Sequence, residues 1–265
     1  MSDLHKNSFW SHLEVLRWTL LRCLMVVFGI AIVAFCFKDF VFDKIILAPC
    51  QRSFATYSLL CYLGNMLSMP SLCPDIQEIT IININLAAQL FTHLSISFCI
   101  GLIIGFPYLT IELWLFAAPA LYLKERKPAI KGAVSFVLLF FAGILTAYYI
   151  IFPLTLNFLG TYQVSQSIEN QISLNSYINA FLTLVFMLGL AFEMPIVAYF
   201  LAKIGLLTSS FLAKYRKVSI VIILIVAAFI TPSTDAFTML LVAAPLQLLY
   251  EISRWVVKRV EILIV

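Results

Sequence analysis

An all-α, polytopic membrane protein is the fold class that this sequence predicts, and three observations predict it. Hydrophobic residues make up 63% of the 265 and charged residues only 11%, where a soluble domain carries roughly a quarter. Several apolar runs are too long and too free of charge to be half-solvated core helices. The basic residues also sort by side of a membrane rather than covering a surface, so the net charge of +4 does not point to nucleic acid.

Taken in order, the chain opens with a cytoplasmic amphipathic segment, 1–19. Phe9, Leu13, Leu16 and Leu20 fall on one helical face, which predicts a helix on the inner membrane surface. Ser11 followed by Glu14 matches a capping box. His5 and Lys6 precede this stretch and no small-residue cleavage site follows the first run, so that run is read as a retained span.

Six apolar runs follow: Leu20–Phe37, Ala87–Phe106, Ala133–Phe152, Ile178–Leu201, Val218–Ile230 and Phe237–Leu249. With the N-terminus inside, 14 of the 17 basic residues lie on inner segments or adjoining span ends, and only Lys38, Lys44 and Arg52 lie outside. The positive-inside rule then gives six transmembrane helices with both termini inside, as one integral membrane domain. The last two spans are short, and as a hairpin turning at Thr231–Asp235 they either thin the bilayer locally or are lengthened by snorkelling Lys and Arg stems. Pro107, Pro153, Pro195 and Pro245 punctuate the runs and predict kinked helices forming a cupped bundle. Gly101 and Gly105 form one GxxxG, which a chance match explains better than a helix contact.

Two connections stand out. The outer loop, 38–86, holds Cys50, Cys61 and Cys73. An oxidising outer compartment allows one disulfide, with Cys61–Cys73 the expected pair. Cys23, Cys36 and Cys99 lie in spans as small apolar fillers. The inner loop, 107–132, reads PYLTIELWLFAAPALYLKERK from Pro107 to Lys127. It carries Glu112 and Glu125, turns at Ala118-Pro119, and is the expected working surface.

Glu193 is a carboxylate inside the fourth run. Left charged and unpaired it costs several kcal/mol, so it faces the bundle interior or a wet cavity, or takes up a proton. It is read either as a functional polar point or as a hydrogen bond to a neighbouring helix. Three cations surround Glu125, as a recognition site or a surface ion network. Glu112 and the lone His93 read as structural, Asp235 as a turn cap, and Glu251 as an i,i+3 partner of Arg254. Neither a catalytic motif nor a metal-ligand spacing occurs, so no enzyme and no cofactor are expected.

Several segments, in order, resemble the TatC family, the multispanning receptor of the twin-arginine protein translocase, from about Phe9 to Arg259. HLEVLR at His12–Arg17 is similar to its amino-terminal signature. Pro107, Trp114, Phe116, Pro119–Tyr122 and Glu125-Arg126 resemble its first inner loop. Ala147-Tyr148 through Phe152-Pro153 is similar to the end of its third span, and Phe192–Pro195 to its buried glutamate motif. Thr231–Asp235 and Pro245 resemble its last hairpin.

The resemblance implies a receptor in a bacterial inner membrane that binds the paired arginines of signals on folded precursors. It would recruit single-span TatA/TatB-type subunits, self-associate in a multi-subunit complex, and be driven by the protonmotive force. The implied signal-binding residues are Glu125, Glu14, Arg17, Phe116, Pro119 and Arg126. Pro107, Tyr148, Pro153, Pro232, Asp235 and Met239 are implied for partner contact or structure. Guanidinium groups pair with carboxylates through two parallel hydrogen bonds, a geometry lysine does not reproduce. One departure is that the family's Glu directly before Leu-Arg falls at Val15, with Glu14 one place earlier and about 100° round a helix. Either that helix end rotates, or Glu125 carries recognition. A small-solute transporter stays open as the alternative, although such folds show more midspan polar groups.

Overall fold

The computed structural model describes residues 2–66, 81–117, 126–163, 165, 170–233 and 235–264. In chain order the helices are α1 (Ser2–Cys36), α2 (Ala55–Met66), α3 (Ala88–Ala117), α4 (Arg126–Thr146), α5 (Phe152–Thr161), α6 (Leu174–Ala191), α7 (Met194–Lys203), α8 (Ser209–Lys214), α9 (Arg216–Ile230) and α10 (Ala236–Ile264). Wider π-type turns cover Phe40–Ile46 and Ala147–Ile151. A two-residue parallel pairing joins β1 (Ile81–Ile82) to β2 (Ile172–Ser173). The chain divides into two compact units, Met1–Lys38 with His93–Leu138 and Asp39–Thr92 with Leu139–Val265.

Among the described residues five helical stretches are long and apolar enough to cross a membrane: Leu13–Cys36, Ala88–Phe116, Gly132–Thr161, Leu174–Lys203 and Ala236–Ile262. The run Val218–Ile230 lies in α9, which has 15 residues and so covers about 22 Å, against ~30 Å of hydrocarbon. The run Phe237–Leu249 opens a helix that continues to Ile264. That helix picks up Glu251, Arg254, Lys258, Arg259 and Glu261 along the way.

In the first unit, α1 is unbroken for 35 residues, about 52 Å. The capping-box reading is therefore wrong. The helix passes through Ser11 and Glu14, which sit in its interior rather than at its start, because no Pro or Gly interrupts it before Gly29. For the same reason the amphipathic segment continues the axis of the first span instead of folding flat.

The second helix also runs further than its sequence suggests. Pro107 removes one backbone donor, yet α3 passes through it to Ala117, so 107–117 is helix rather than loop. Thr110 donates back to Phe106 O at 2.9 Å, so this hydroxyl is satisfied within its own helix. The GxxxG expectation fails as well. A Cβ on Gly101 would lie 2.6 Å from Val27 O and 3.1 Å from Ala31 Cβ, and one on Gly105 would lie 3.4 Å from Val27 Cγ2. These glycines are where α3 closes on α1.

The second unit is organised by hydroxyl groups that satisfy carbonyls outside regular helix. Pro153 cannot donate to the carbonyl four residues back, Tyr149. Thr56 Oγ1 donates to that carbonyl instead, and the wide turn Ala147–Ile151 lies immediately upstream. Tyr148 donates to Ile45 O at 2.9 Å and Tyr177 to Ile46 O at 2.6 Å. The Tyr57 hydroxyl lies between Pro49 O at 3.1 Å and Pro153 O at 3.2 Å. Burial pushes that hydroxyl up to about 12, so it remains a donor across physiological pH.

Tyr57→Phe removes the one O–H that two carbonyls share, and a lost hydrogen bond that leaves a buried group unsatisfied costs about 1–3 kcal/mol. We expect a lower melting temperature in detergent; an unchanged one would mean that these bonds add nothing.

Deeper in this unit, Phe140, Leu184, Leu188 and Ile178 are fully buried. Ala198 and Ala202 of α7 pack on Val257 and Val260 of α10. Cys23, Cys36, Cys50 and Cys99 are free and Cys61 is disulfide-bonded. Cys73, its expected partner, lies outside the described residues.

Candidate functional site

Within the first unit, Glu14 and Arg17 lie exposed on α1, and the Arg17 guanidinium sits 5.6 Å from the Trp18 ring centre. Phe116 lies in the last turn of α3, half-buried. Arg126 opens α4. Glu125 and Pro119 lie outside the described residues, and so does the turn at Ala118-Pro119.

One polar constellation here was not anticipated. Glu112 is buried, and its Oε1 accepts from the Tyr108 hydroxyl at 2.8 Å. Its Oε2 lies 3.4 Å from Arg22 Nη2. The same Arg22 nitrogen is 3.5 Å from Thr19 Oγ1, and Thr19 is itself buried. A clue was present in the sequence. Arg22 sits inside the run Leu20–Phe37, and a cation there needs a partner or an exit to the interface. His93 stacks on Phe35, with ring centres 4.0 Å apart and planes within 9°.

In the second unit, Glu193 sits where the fourth span breaks. α6 ends at Ala191, α7 starts at Met194, and Pro195 occupies the first turn of α7. Pro195 has no N–H for the carbonyl of Ala191, so the helix cannot continue regularly through Phe192-Glu193. Glu193 is 4% exposed. Both carboxyl oxygens are buried without a hydrogen-bond partner among the described residues. Of the two readings left open by the sequence, the interhelical hydrogen bond is not the one observed.

The last hairpin is held by Asp235. Its Oδ1 accepts from Thr238 N at 2.9 Å, and its Oδ2 from Ser233 Oγ and Thr238 Oγ1, each at 2.5 Å. This is an N-cap for α10. Partial burial works to raise the carboxyl, but the donors of Ser233 and Thr238 outweigh it and hold it below its ordinary value. Pro232 is exposed beside it, and Met239 is half-buried one turn into α10. At the other end of α10, Glu251 pairs with Arg254 at 3.4 Å, as its spacing predicts, and also with Arg216 Nε at 2.6 Å. The Ser209 N–H donates to Glu261 Oε1 at 2.8 Å, and the Tyr250 hydroxyl to Leu212 O at 2.7 Å.

Long apolar helices, the fourth broken ahead of Pro195 and the third widened into a π turn ahead of Pro153, polar groups gathered near their ends and a single buried carboxyl in the fourth define a multi-pass helical membrane protein. No cluster of metal-binding side chains occurs among the described residues. The chain belongs to the TatC family, the Sec-independent protein translocase proteins, whose family model matches residues 11–245.

It is 34% identical to the TatC protein of Blattabacterium sp. subsp. Periplaneta americana (strain BPLAN) over 258 residues, 96% of each chain. It is 35% identical to that of Aquifex aeolicus (strain VF5) over 243 residues, 91% of each. It is also similar to a crystal structure of the twin-arginine translocase receptor TatC, with a TM-score of 0.70 and 34% identity. That match covers 94% of this chain and 99% of the other. The same receptor in DDM gives a TM-score of 0.73 at 35% identity over 92% and 98%. The chain is a component of a protein translocase rather than an enzyme, and the transporter alternative falls away.

Proposed function

We propose that this protein is the receptor that recognises the paired arginines of signal segments on folded precursors. It then recruits single-span TatA/TatB-type subunits for export driven by the protonmotive force. The carrying observation is the likeness of nearly the whole chain to the twin-arginine translocase receptor. In this reading the protein lies in a bacterial inner membrane with six spans and both termini cytoplasmic. It self-associates within a multi-subunit complex.

Glu125 is the leading carboxylate for a signal arginine, with Glu14 as the second; Arg17, Phe116, Pro119 and Arg126 surround them. Glu14 is exposed on the side of an unbroken helix, which leaves it free to meet a cation from outside. Glu193 serves as the polar point met by a translocating or partner helix. Pro107, Tyr148, Pro153, Pro232, Asp235 and Met239 shape the helices that partners meet. Tyr148 and Asp235 do so through the bonds described above, whereas Met239 offers a partner apolar contact only.

The test is photocrosslinking from position 125 to a twin-arginine signal in native membranes, together with Glu125→Ala. A charge-assisted pair is worth about 1.5–3 kcal/mol, so signal capture by Glu125→Ala should fall by roughly tenfold or more. Membrane insertion should be normal. Unchanged capture would remove Glu125 from the site.

A further inference from the structure

We infer that Glu112 is a guanidinium-recognising carboxylate, and that Arg22 occupies it until an arginine of the incoming signal displaces it. This deepens the receptor reading and rests on it. Three features of the pair point this way. The contact is made by one nitrogen at 3.4 Å, where a fork-to-fork Arg–carboxylate pair makes two parallel bonds at about 2.7–2.9 Å. The partners are unequally placed, since the Arg22 side chain is 50% exposed and the Glu112 side chain 11%. Arg22 therefore has an open side towards which it can move, whereas Glu112 cannot be left without a cation. The acceptor is also oriented in advance: the Tyr108 hydroxyl holds Oε1 at 2.8 Å and leaves Oε2 for the cation.

Place and chemistry agree. Glu112 lies on the last part of α3, thirteen residues before Glu125 in the sequence, and pairs with α1, the helix that carries Glu14 eight residues before Arg22. Eight residues of helix span about 12 Å, within reach of an extended signal segment carrying two adjacent arginines. A second guanidinium offering two N–H groups outcompetes a single long contact, whereas an ammonium, with no fork, gains no such advantage. The internal arginine thus sets a threshold that favours arginine over lysine. It also keeps a buried carboxylate from standing unpaired while the receptor waits, a strongly unfavourable arrangement.

The full-length protein, purified in detergent, is titrated with a fluorescent twin-arginine signal peptide and with its Lys-Lys counterpart. Glu112→Gln keeps the shape but is uncharged and has a single acceptor oxygen, so it can keep the Tyr108 bond while losing the charge that pairs with a guanidinium. It should weaken twin-arginine binding by roughly tenfold and leave Lys-Lys binding nearly unchanged. Arg22→Leu, where its melting temperature matches the parent protein, should tighten twin-arginine binding several-fold. The double substitution should bind as Glu112→Gln does. Twin-arginine affinity of Glu112→Gln close to that of the parent overturns the inference, and this variant decides alone if Arg22→Leu does not fold. So does a folded Arg22→Leu that binds no more tightly. If the parent protein itself fails to bind the twin-arginine peptide, the receptor reading falls first and the inference with it.

Discussion

Replacing Gly143 by valine is expected to unfold or severely destabilise the second unit. A Cβ at this position would lie 2.7 Å from the backbone oxygen of Leu188, 2.9 Å from Gly189 Cα and 2.9 Å from Phe192 Cβ. Two of those three atoms are main chain, so no rotamer change relieves the overlap and α6 must move as a body. The contact is reciprocal, since a Cβ on Gly189 would lie 3.0 Å from the ring of the fully buried Phe140. Overpacking a well-filled site costs typically about 1–3 kcal/mol, and a collision with backbone belongs at or above the top of that range. Gly29→Ala is the control, because nothing among the described residues lies within 4 Å of a Cβ there. We expect Gly143→Val to lose most of its folded, detergent-stable fraction and Gly29→Ala to melt with the parent protein. Equal melting of the two variants would refute the close contact.

The second large effect concerns function with little change in stability. Glu193→Ala is expected to abolish most export of a folded reporter while leaving the melting temperature nearly where it was. Two opposing terms produce the near-cancellation. Truncation leaves a cavity, which destabilises. It also removes a carboxyl buried without any hydrogen-bond partner among the described residues, and relieving an unsatisfied buried polar group returns about 1–3 kcal/mol. A side chain kept at such a cost is retained for something other than folding. Glu193→Gln should preserve more export than Glu193→Ala, because it keeps a group able to hydrogen-bond at the helix break. Normal export by Glu193→Ala, or a collapse in protein level that accounts for the whole loss, would count against Glu193 as a functional point.

The helix break at Glu193 and the cap at Asp235 show how the two kinds of information divide. Both were legible locally. A lone carboxylate in an apolar run before Pro195 has to be buried or wet, and an aspartate three residues ahead of a threonine at the start of a run is an N-cap. The helical extent of 107–117 was less legible, since a proline followed by mixed polarity signals a loop as strongly as a kinked helix. Ser11 and Glu14 matched a start signal that the helix ignores, because cap signatures recur by chance within amphipathic helices.

That this chain is helical and lipid-embedded follows from composition and run length alone, because too few charges remain to solvate a surface. Its ordered segments also marked the family. Which polar groups meet is a matter of packing between distant segments. The Arg22–Glu112 pair joins residues 90 positions apart, and Thr56 reaches across 93 to the carbonyl that Pro153 leaves free. Periodicity records which face of a helix is apolar, but not which neighbour that face meets. Gly101 and Gly143 show the limit most plainly. The absence of a side chain carries no local signal until another helix lies close enough for a Cβ to strike its backbone.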